Sequence, residues 1–271
     1  IAKFYRPARW SDEAILEEHA FAQELDEAEI PVVPPINVGG ATLHHFNGFR
    51  FSLSPRRGGR APELDRPEVL EWIGRFLGRI HAQGSASSFA HRPHLTLERF
   101  ALKPREWLLN SPFLPADIRP AWESIAALAI DGAKAAFARA GDVRQIRLHG
   151  DCHAGNIFQT DDGPGLIDWQ LLQRGGWALD VAYHVSAVLP VETAEREEWA
   201  LLRGYIDCVR AHGGSVPDFA AAQAQYRQAV VYGFYLWSIT RRVDPPIINA
   251  FVDRLGKAVM RHESYKLLDV A

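Results

Sequence analysis

The sequence predicts an α+β protein of two lobes, a small lobe built on an antiparallel sheet and a larger, mainly helical lobe. Short strand-like runs joined by turn residues occupy the first part of the chain, whereas long helical apolar patterns dominate the later part. Polar residues cluster on short apolar segments near residues 146–169. Because residues 55–59 fit neither pattern, we place the small lobe at residues 1–55 and the large lobe at 56–271.

The small lobe is predicted to contain three strands and one helix. Residues 1–5 form a strand-like apolar run, and Ser11 can cap the helix that follows it. Two further strands are predicted near 41–45 and 48–54, because the pair Asn47-Gly48 between them favours a tight hairpin turn.

The large lobe is predicted to begin with a strongly amphipathic helix at residues 67–81. The proline-rich stretch 86–115 is predicted to be irregular, since proline interrupts helices and central strands. Later segments keep a helical apolar spacing, and further helices are predicted at about 115–140, 179–188, 193–212, 217–242 and 247–262.

The composition of the chain narrows the classes of partner that the protein is expected to bind. A net charge of −3 and a pI near 6.4 give no overall basic character, so nucleic acid is not an expected ligand. The two cysteines, Cys152 and Cys208, are too few for a disulfide framework and favour a reducing compartment. No apolar run reaches membrane-spanning length. We therefore expect a cytoplasmic monomer without a membrane or nucleic-acid partner.

The most informative segment is His149-Gly150-Asp151-Cys152-His153-Ala154-Gly155-Asn156, followed by Ile167-Asp168-Trp169. In kinases one aspartate orients the attacking hydroxyl and accepts its proton, while an asparagine and a second aspartate bind Mg²⁺. Asp151, Asn156 and Asp168 have the residue types and spacing for these roles. Mg²⁺ takes one or two protein carboxylates and leaves other positions to phosphates and water. The segment therefore predicts a phosphotransferase that uses ATP and Mg²⁺, with Asp151 as catalytic base.

Each of these residues also has a simpler interpretation. Asp151 can be a loop aspartate that caps a turn, and Asp168 can be a solvated carboxylate at a strand end. His149 and His153 flank Asp151 in a His-x-Asp-x-His string that resembles a transition-metal site. Because no matching ligand cluster occurs elsewhere in the sequence, we predict instead that both histidines brace the catalytic loop.

Residues 149–156 with 167–169 resemble the aminoglycoside phosphotransferase and choline kinase group, which shares the protein-kinase fold. Residues 4–19 and 39–51 are more similar to the bacterial stress response kinase A family of serine/threonine kinases, and that similarity extends over roughly residues 1–158. The resemblance implies a two-lobed protein-kinase-like fold, transfer of a phosphoryl group from ATP to a hydroxyl acceptor, and a role in the stress response.

The same resemblance assigns roles to the first strand and helix. Lys3 is placed as the clamp on the α- and β-phosphates, where a helix glutamate holds its ammonium group. Glu18 is the predicted partner and Glu17 the alternative, because adjacent helix positions point about 100° apart and only one can face the cleft. The simpler interpretation of either residue is a surface charge.

The strand near residues 51–54 is placed as the adenine-binding hinge. Backbone groups of Phe51, Ser52 and Leu53 are expected to bond the base, with an ordinary interior strand as the alternative. Asp180 resembles a structural aspartate that anchors the catalytic loop from the following helix.

Two features depart from the family pattern. Kinase folds begin with a hairpin whose loop covers the phosphates, and no segment precedes Lys3 to form one, so we expect the small lobe to lack its first strands. Neither a dinucleotide-binding G-x-G-x-x-G nor a P-loop G-x-x-x-x-G-K-[ST] occurs. Trp169-Gln170-Leu171-Leu172 stands where stress response kinases continue with acidic residues.

Three functions are therefore open. The first is a serine/threonine protein kinase similar to the stress response kinases. The second is a small-molecule kinase with an aminoglycoside, choline-like or homoserine-like acceptor. The third is an inactive nucleotide-binding scaffold, which the missing hairpin favours and the intact Asp151, Asn156 and Asp168 disfavour.

Overall fold

The computed structural model describes residues 1–112, 114, 116–117, 119–140, 144–183, 189–239 and 245–267. The strands are β1 (Ala2–Tyr5), β2 (His44–Phe46), β3 (Phe49–Leu53), β4 (Ile146–Leu148), β5 (Ile157–Thr160), β6 (Gly163–Leu166) and β7 (Gln173–Gly175). The α-helices are α1 (Asp12–Glu27), α2 (Pro67–Gly84), α3 (Lys103–Leu109), α4 (Arg119–Ala140), α5 (Ala178–Tyr183), α6 (Val191–Ala211), α7 (Phe219–Ile239), α8 (Pro245–Arg261) and α9 (Ser264–Leu267). The predicted α+β class, with an early sheet and a mainly helical remainder, is confirmed.

The small lobe consists of α1 and a three-stranded antiparallel sheet in the order β1-β3-β2. Asn47 and Gly48 both have positive φ, at 46° and 78°, as a tight hairpin between β2 and β3 requires. Ser11 caps α1, because its Oγ accepts a hydrogen bond of 3.2 Å from the Ala14 N–H. All these elements end by Leu53 and α2 begins at Pro67, which supports our proposal of a lobe boundary between residues 55 and 56.

A buried polar group joins the sheet to α1. The Tyr5 hydroxyl lies 2.7 Å from His19 Nε2 and 3.1 Å from Ser52 Oγ. The other ring nitrogen of His19 lies 2.8 Å from Thr42 Oγ1. Burial is the main cause that lowers the pKa of His19 to about 4, so the ring is neutral at neutral pH. At this buried contact the sheet meets α1 through uncharged, hydrogen-bonded groups.

The core of the large lobe forms where α2 packs against α6. Two glycines of α2 allow the helices to approach closely, since a Cβ on Gly74 would lie 2.9 Å from the Leu201 carbonyl oxygen. A Cβ on Gly78 would lie 2.9 Å from the Cβ of Cys208. The fully buried apolar side chains of this interface include Ile73, Leu77, Leu201 and Leu202.

Two short antiparallel pairs lie in the large lobe, between α4 and α5, and carry the predicted catalytic segment. Strand β4 pairs with β7, and β5 pairs with β6. An isolated parallel bridge between Val32 and Leu166 joins the segment after α1 to β6. This arrangement places the loop after β4 and the end of β6 beside the small lobe.

Several predicted boundaries differ from the structure. The stretch 86–115 is not wholly irregular, because it contains a π-helical turn at Glu98–Leu102 and then α3. Parts of two predicted helices, residues 184–188 and 240–242, lie outside the described residues. Within the described part of the chain, no helix has both the length and the apolar character needed to cross a bilayer.

The neutral state of His19 predicts how stability depends on pH. In the unfolded chain this histidine is protonated below its ordinary pKa of about 6.5, whereas the folded chain resists protonation until about pH 4. The free energy of unfolding should therefore fall as pH drops from 6.5 to 4, and His19→Gln should show a shallower decline. Urea unfolding of both proteins across this pH range measures the difference. Parallel declines would contradict the assignment.

Candidate active site

The loop after β4 adopts a conformation that requires glycine. Gly150 has a φ of 79°, and a Cβ there would lie 2.1 Å from the carbonyl oxygen of Leu171. Such a distance is far inside van der Waals contact, so no other residue fits without moving the backbone. The loop therefore passes close over the turn after Asp168 and brings Asp151 beside it.

Asp180 of α5 anchors this loop. Its carboxylate accepts hydrogen bonds from the backbone N–H groups of His149, at 2.8 Å, and Gly150, at 2.9 Å. His81 Nε2 lies 3.1 Å from the same carboxylate, and His81 Nδ1 lies 2.7 Å from the Tyr205 hydroxyl. Burial alone would raise the pKa of Asp180, but the hydrogen bond and charge of His81 outweigh it and lower that pKa. The carboxylate is therefore an ionised, fully satisfied anchor.

His149 links the two halves of the motif. Its Nδ1 accepts a hydrogen bond from the Asp151 N–H at 3.2 Å, and its Nε2–H donates to the Ile167 carbonyl at 3.0 Å. One nitrogen accepts and the other donates, which requires a neutral ring. Burial lowers the pKa of His149 and favours the same form. The ring packs edge-on against Trp169, with centroids 4.7 Å apart.

Asp151 lies in the loop after β4 and is partly exposed, with 22% of its side chain accessible to solvent. Burial raises the pKa of Asp151, the nearby His153 and His149 oppose this, and the charge of Asp168 adds to it. His153 Nε2 lies 3.8 Å from Asp151 Oδ1, while His153 Nδ1 accepts the Gly155 N–H at 3.0 Å. A carboxylate of raised basicity is thus presented to solvent.

Asn156 and Asp168 lie on neighbouring segments. The Ile167 N–H donates to the Asn156 carbonyl at 2.9 Å, which joins the end of the loop to the residue before Asp168. The side-chain amide of Asn156 donates to the Asp151 carbonyl at 2.9 Å, so its Oδ1 is the atom left to ligate a cation. Asp168 adopts a left-handed backbone conformation, with φ 61° and ψ 62°.

The oxygen donors of Asn156 and Asp168 suit Mg²⁺, which accepts few protein ligands when phosphates complete its coordination. Within the described ranges, no group of three or more His, Cys, Asp or Glu side chains could hold a metal alone. The transition-metal interpretation of His149 and His153 therefore has no support here. An amide and a carboxylate fit a cation that arrives with a nucleotide.

Lys3 reaches this carboxylate from the small lobe. Its ammonium lies 2.8 Å from Glu18 Oε1 and 3.4 Å from Asp168 Oδ1. Glu17, the alternative partner, instead accepts hydrogen bonds of 2.6–2.9 Å from the backbone N–H groups of residues 90–92. Adjacent glutamates thus serve two different contacts, one with the lysine and one with a loop of the large lobe.

The hinge role predicted for Phe51, Ser52 and Leu53 stays a prediction. Strand β3 is the middle strand of its sheet, where Phe51 is paired with both Phe4 and His44 and Ser52 with Lys3. The Leu53 carbonyl accepts the Ile36 N–H at 2.7 Å. A backbone N–H that is already bonded in the sheet has no hydrogen left for adenine, so the pairing of Phe51 and Ser52 weighs against their part in a hinge.

Two residues of the site escaped the sequence analysis. Arg92 is buried and contacts Glu18, and the Gln170 side-chain amide donates to Asp168 Oδ2 at 2.8 Å. Neither belongs to the motif, and neither spacing nor residue type distinguishes them from other polar residues of the chain. The only available signal was the departure of Gln170 from the acidic pattern of the stress response kinases.

The fold, with Lys3 and Glu18 paired opposite the segment of Asp151, Asn156 and Asp168, is that of the protein-kinase-like class of phosphotransferases. The chain belongs to the phosphotransferase enzyme family, APH, whose family model matches residues 1–221. The resemblance inferred from the motifs is therefore confirmed at the level of the family.

Named relatives agree with this membership. Stress response kinase A of Escherichia coli K12 is 39% identical over 175 residues, which cover 65% of this chain and 52% of that protein. Serine/threonine protein kinase RdoA of Salmonella typhimurium LT2 is 37% identical over 188 residues, with the same coverage. The chain thus spans about half the length of the curated relatives it matches.

A solved structure supports the fold over nearly the whole chain. Amicoumacin kinase hAmiN, in complex with AMP-PNP, Ca²⁺ and Ami, aligns with a TM-score of 0.63 at 15% identity. The alignment covers 96% of this chain and 81% of that one. At this identity the likeness concerns architecture alone.

Loss of the Asp180 anchor should loosen the loop. In Asp180→Asn the amide NH₂ faces a backbone N–H, so one buried donor loses its acceptor and His81 loses the carboxylate that it contacts. We expect the free energy of unfolding to fall by about 3 kcal/mol. Urea unfolding measures it, with the exposed Asp207→Asn of α6 as control. Equal stability of the two variants would contradict the anchoring role.

Proposed function

We propose that the protein transfers the γ-phosphoryl group of ATP to a hydroxyl acceptor with the help of a divalent cation. The observation that carries this proposal is the Lys3 ammonium, which lies between Glu18 and Asp168 beside the loop of Asp151. Membership in the phosphotransferase family supports it. The named neighbour solved with AMP-PNP and Ca²⁺ supports a nucleotide and a divalent cation, for which Mg²⁺ is our choice.

In this mechanism Asp151 is the catalytic base. An acceptor hydroxyl donates a hydrogen bond to its carboxylate, and the proton passes to Asp151 as the oxygen bonds to the γ-phosphorus and ADP leaves. The raised pKa of Asp151, caused mainly by burial, makes its carboxylate a better proton acceptor. Asp180 and His149 act at a distance by fixing the backbone that carries Asp151.

Lys3 and Asp168 bind the phosphates and the cation. The contact from Lys3 to Asp168, at 3.4 Å, is longer than its 2.8 Å contact to Glu18 and is the one that an incoming phosphate can replace. Glu18 keeps the ammonium in place meanwhile. A bound Mg²⁺ would neutralise charge on the β- and γ-phosphates, with Asn156 and Asp168 as its protein ligands.

For the acceptor we propose a protein serine or threonine first. The relative named as a serine/threonine protein kinase, matched at 37% identity, supports this choice. A small alcohol is the second candidate, because Gln170 and Leu171 stand where stress response kinases continue with acidic residues. The continuation at residues 176–183 resembles phosphotransferases that act on small alcohols or antibiotics. Free Cys152 and Cys208 support a reducing compartment, and we propose the cytoplasm and a monomer.

An acceptor panel separates these candidates. Labelled γ-phosphate of ATP should appear on a generic serine-rich protein or on the protein itself if the acceptor is a side chain. It should appear on an aminoglycoside, choline or homoserine if the acceptor is small. Nucleotide binding without transfer to any acceptor or to water would support an inactive scaffold and contradict the proposal.

Asp151→Asn should abolish turnover and spare ATP binding. The amide retains the shape of the carboxylate but cannot take a proton, so we expect turnover to fall about 10²–10⁴-fold. Initial rates with the acceptor found in the panel, and ATP affinity by equilibrium dialysis, give the two measurements. Asp161→Asn, in the exposed turn after β5, is the control. Near-full activity of Asp151→Asn would refute the assigned base.

A further inference from the structure

Arg92 is an unusual charge for its position. It lies in the loop after α2, belongs to the large lobe, and has no accessible side-chain surface. Its guanidinium donates to the Ala14 carbonyl at 2.7 Å and stacks over Trp10, 4.6 Å from the ring centroid. A buried arginine is costly unless its charge and its donors are all matched. The partners of Arg92 are therefore expected to be specific.

Two of those partners connect the nucleotide clamp to the metal-site carboxylate. Arg92 donates to Glu18 Oε2 at 2.6 Å and, through its other terminal nitrogen, to the Gln170 carbonyl at 2.9 Å. Glu18 also holds Lys3, and Gln170 also holds Asp168. Since Lys3 lies 3.4 Å from Asp168, the contacts close into a ring. We call these five residues the clamp ring.

The clamp ring is electrically balanced. Lys3 and Arg92 bring two positive charges, and Glu18 and Asp168 bring two negative charges. Gln170 is neutral and uses its backbone carbonyl for Arg92 and its side-chain amide for Asp168. A glutamate at this position would add an uncompensated negative charge beside Asp168. The neutral amide thus fits the charge balance of this chain.

We propose that Arg92 and Gln170 are positioning residues that hold the phosphate-binding Lys3 and the cation-binding Asp168 in register across the two lobes. They act through Glu18 and Asp168 and touch neither nucleotide nor cation. The proposal rests on the proposed function of the site and goes beyond it, because it assigns roles outside the catalytic motif. It requires that cation and nucleotide binding become less coupled when either residue is removed.

Nucleotide affinity with and without the cation tests this coupling. ATP dissociation constants are measured by equilibrium dialysis in Mg²⁺ and in EDTA, and their ratio gives the enhancement due to the cation. Arg92→Met and Gln170→Ala should reduce this enhancement about tenfold while changing ATP affinity in EDTA less. Arg92→Lys keeps a positive charge for Glu18 but loses the planar guanidinium that reaches Glu18 and Gln170 at once. Its enhancement by Mg²⁺ should therefore lie between those of wild type and Arg92→Met.

Arg147→Met is the matched control. Arg147 is also buried, pairs with Glu24 of α1 at 2.7 Å and stacks over Phe21, but it lies outside the clamp ring. Arg147→Met should lower the urea midpoint of unfolding, as Arg92→Met does, and should leave the enhancement of ATP affinity by Mg²⁺ unchanged. Equal loss of enhancement in both arginine variants, or none in Arg92→Met and Gln170→Ala, would overturn the proposal. If Arg92→Met does not fold, Gln170→Ala decides alone.

A second measurement separates this proposal from the proposed function. If wild type binds no ATP under either condition, the proposed function fails, and urea unfolding still tests the ring. The equilibrium constant for unfolding is then measured for both single variants and for the double variant of Arg92→Met and Gln170→Ala. The double variant's constant should differ about threefold or more from the value expected if the two single effects simply multiplied. Strict additivity would overturn the ring.

Discussion

The geometry of the site depends on one buried carboxylate. Asp180 is almost wholly shielded from solvent, so its ionised form persists only because two backbone N–H groups and His81 satisfy it. The two N–H bonds to Asp180 fix the backbone of the loop, with Gly150 at positive φ and close to the Leu171 carbonyl. Every later contact of the loop, including the bond from Asn156 to the Asp151 carbonyl, builds on this path.

A second constraint is charge balance across the lobes. The formal charges sum to zero over Lys3, Glu18, Arg92 and Asp168. Arg92 and Glu18 can therefore be buried at low cost. In the proposed mechanism an incoming phosphate replaces the contact from Lys3 to Asp168, which frees that carboxylate for the cation.

Local signals in the sequence were enough to predict much of the fold. The Ser11 cap, the Asn47-Gly48 turn and the apolar period of α2 each involve residues a few positions apart, and the structure contains all three. Helix α3 was missed because Pro104 was taken as a breaker, although proline is well tolerated in the first turn of a helix.

The site was predictable to the extent that its residues are close in sequence. Asp151, Asn156 and Asp168 fall within one motif, whereas Arg92 and Gln170 are 78 positions apart and meet only through the tertiary fold. The pairing of the predicted hinge strand is hidden from the sequence for a related reason. Central and edge strands share the same alternating pattern, so the sequence of β3 does not tell whether its backbone groups are already paired.

The fastening of α1 also limits how the two lobes can move. Glu17 binds the backbone of residues 90–92 in the large lobe, while His19, two positions on, is hydrogen-bonded to Tyr5 of the sheet. Helix α1 is thereby attached to both lobes along its length. Sliding of one lobe past the other would break both attachments, whereas a small rotation about an axis near α1 preserves them. If the two lobes move relative to each other, these contacts favour rotation about α1, with the largest displacement farthest from that axis.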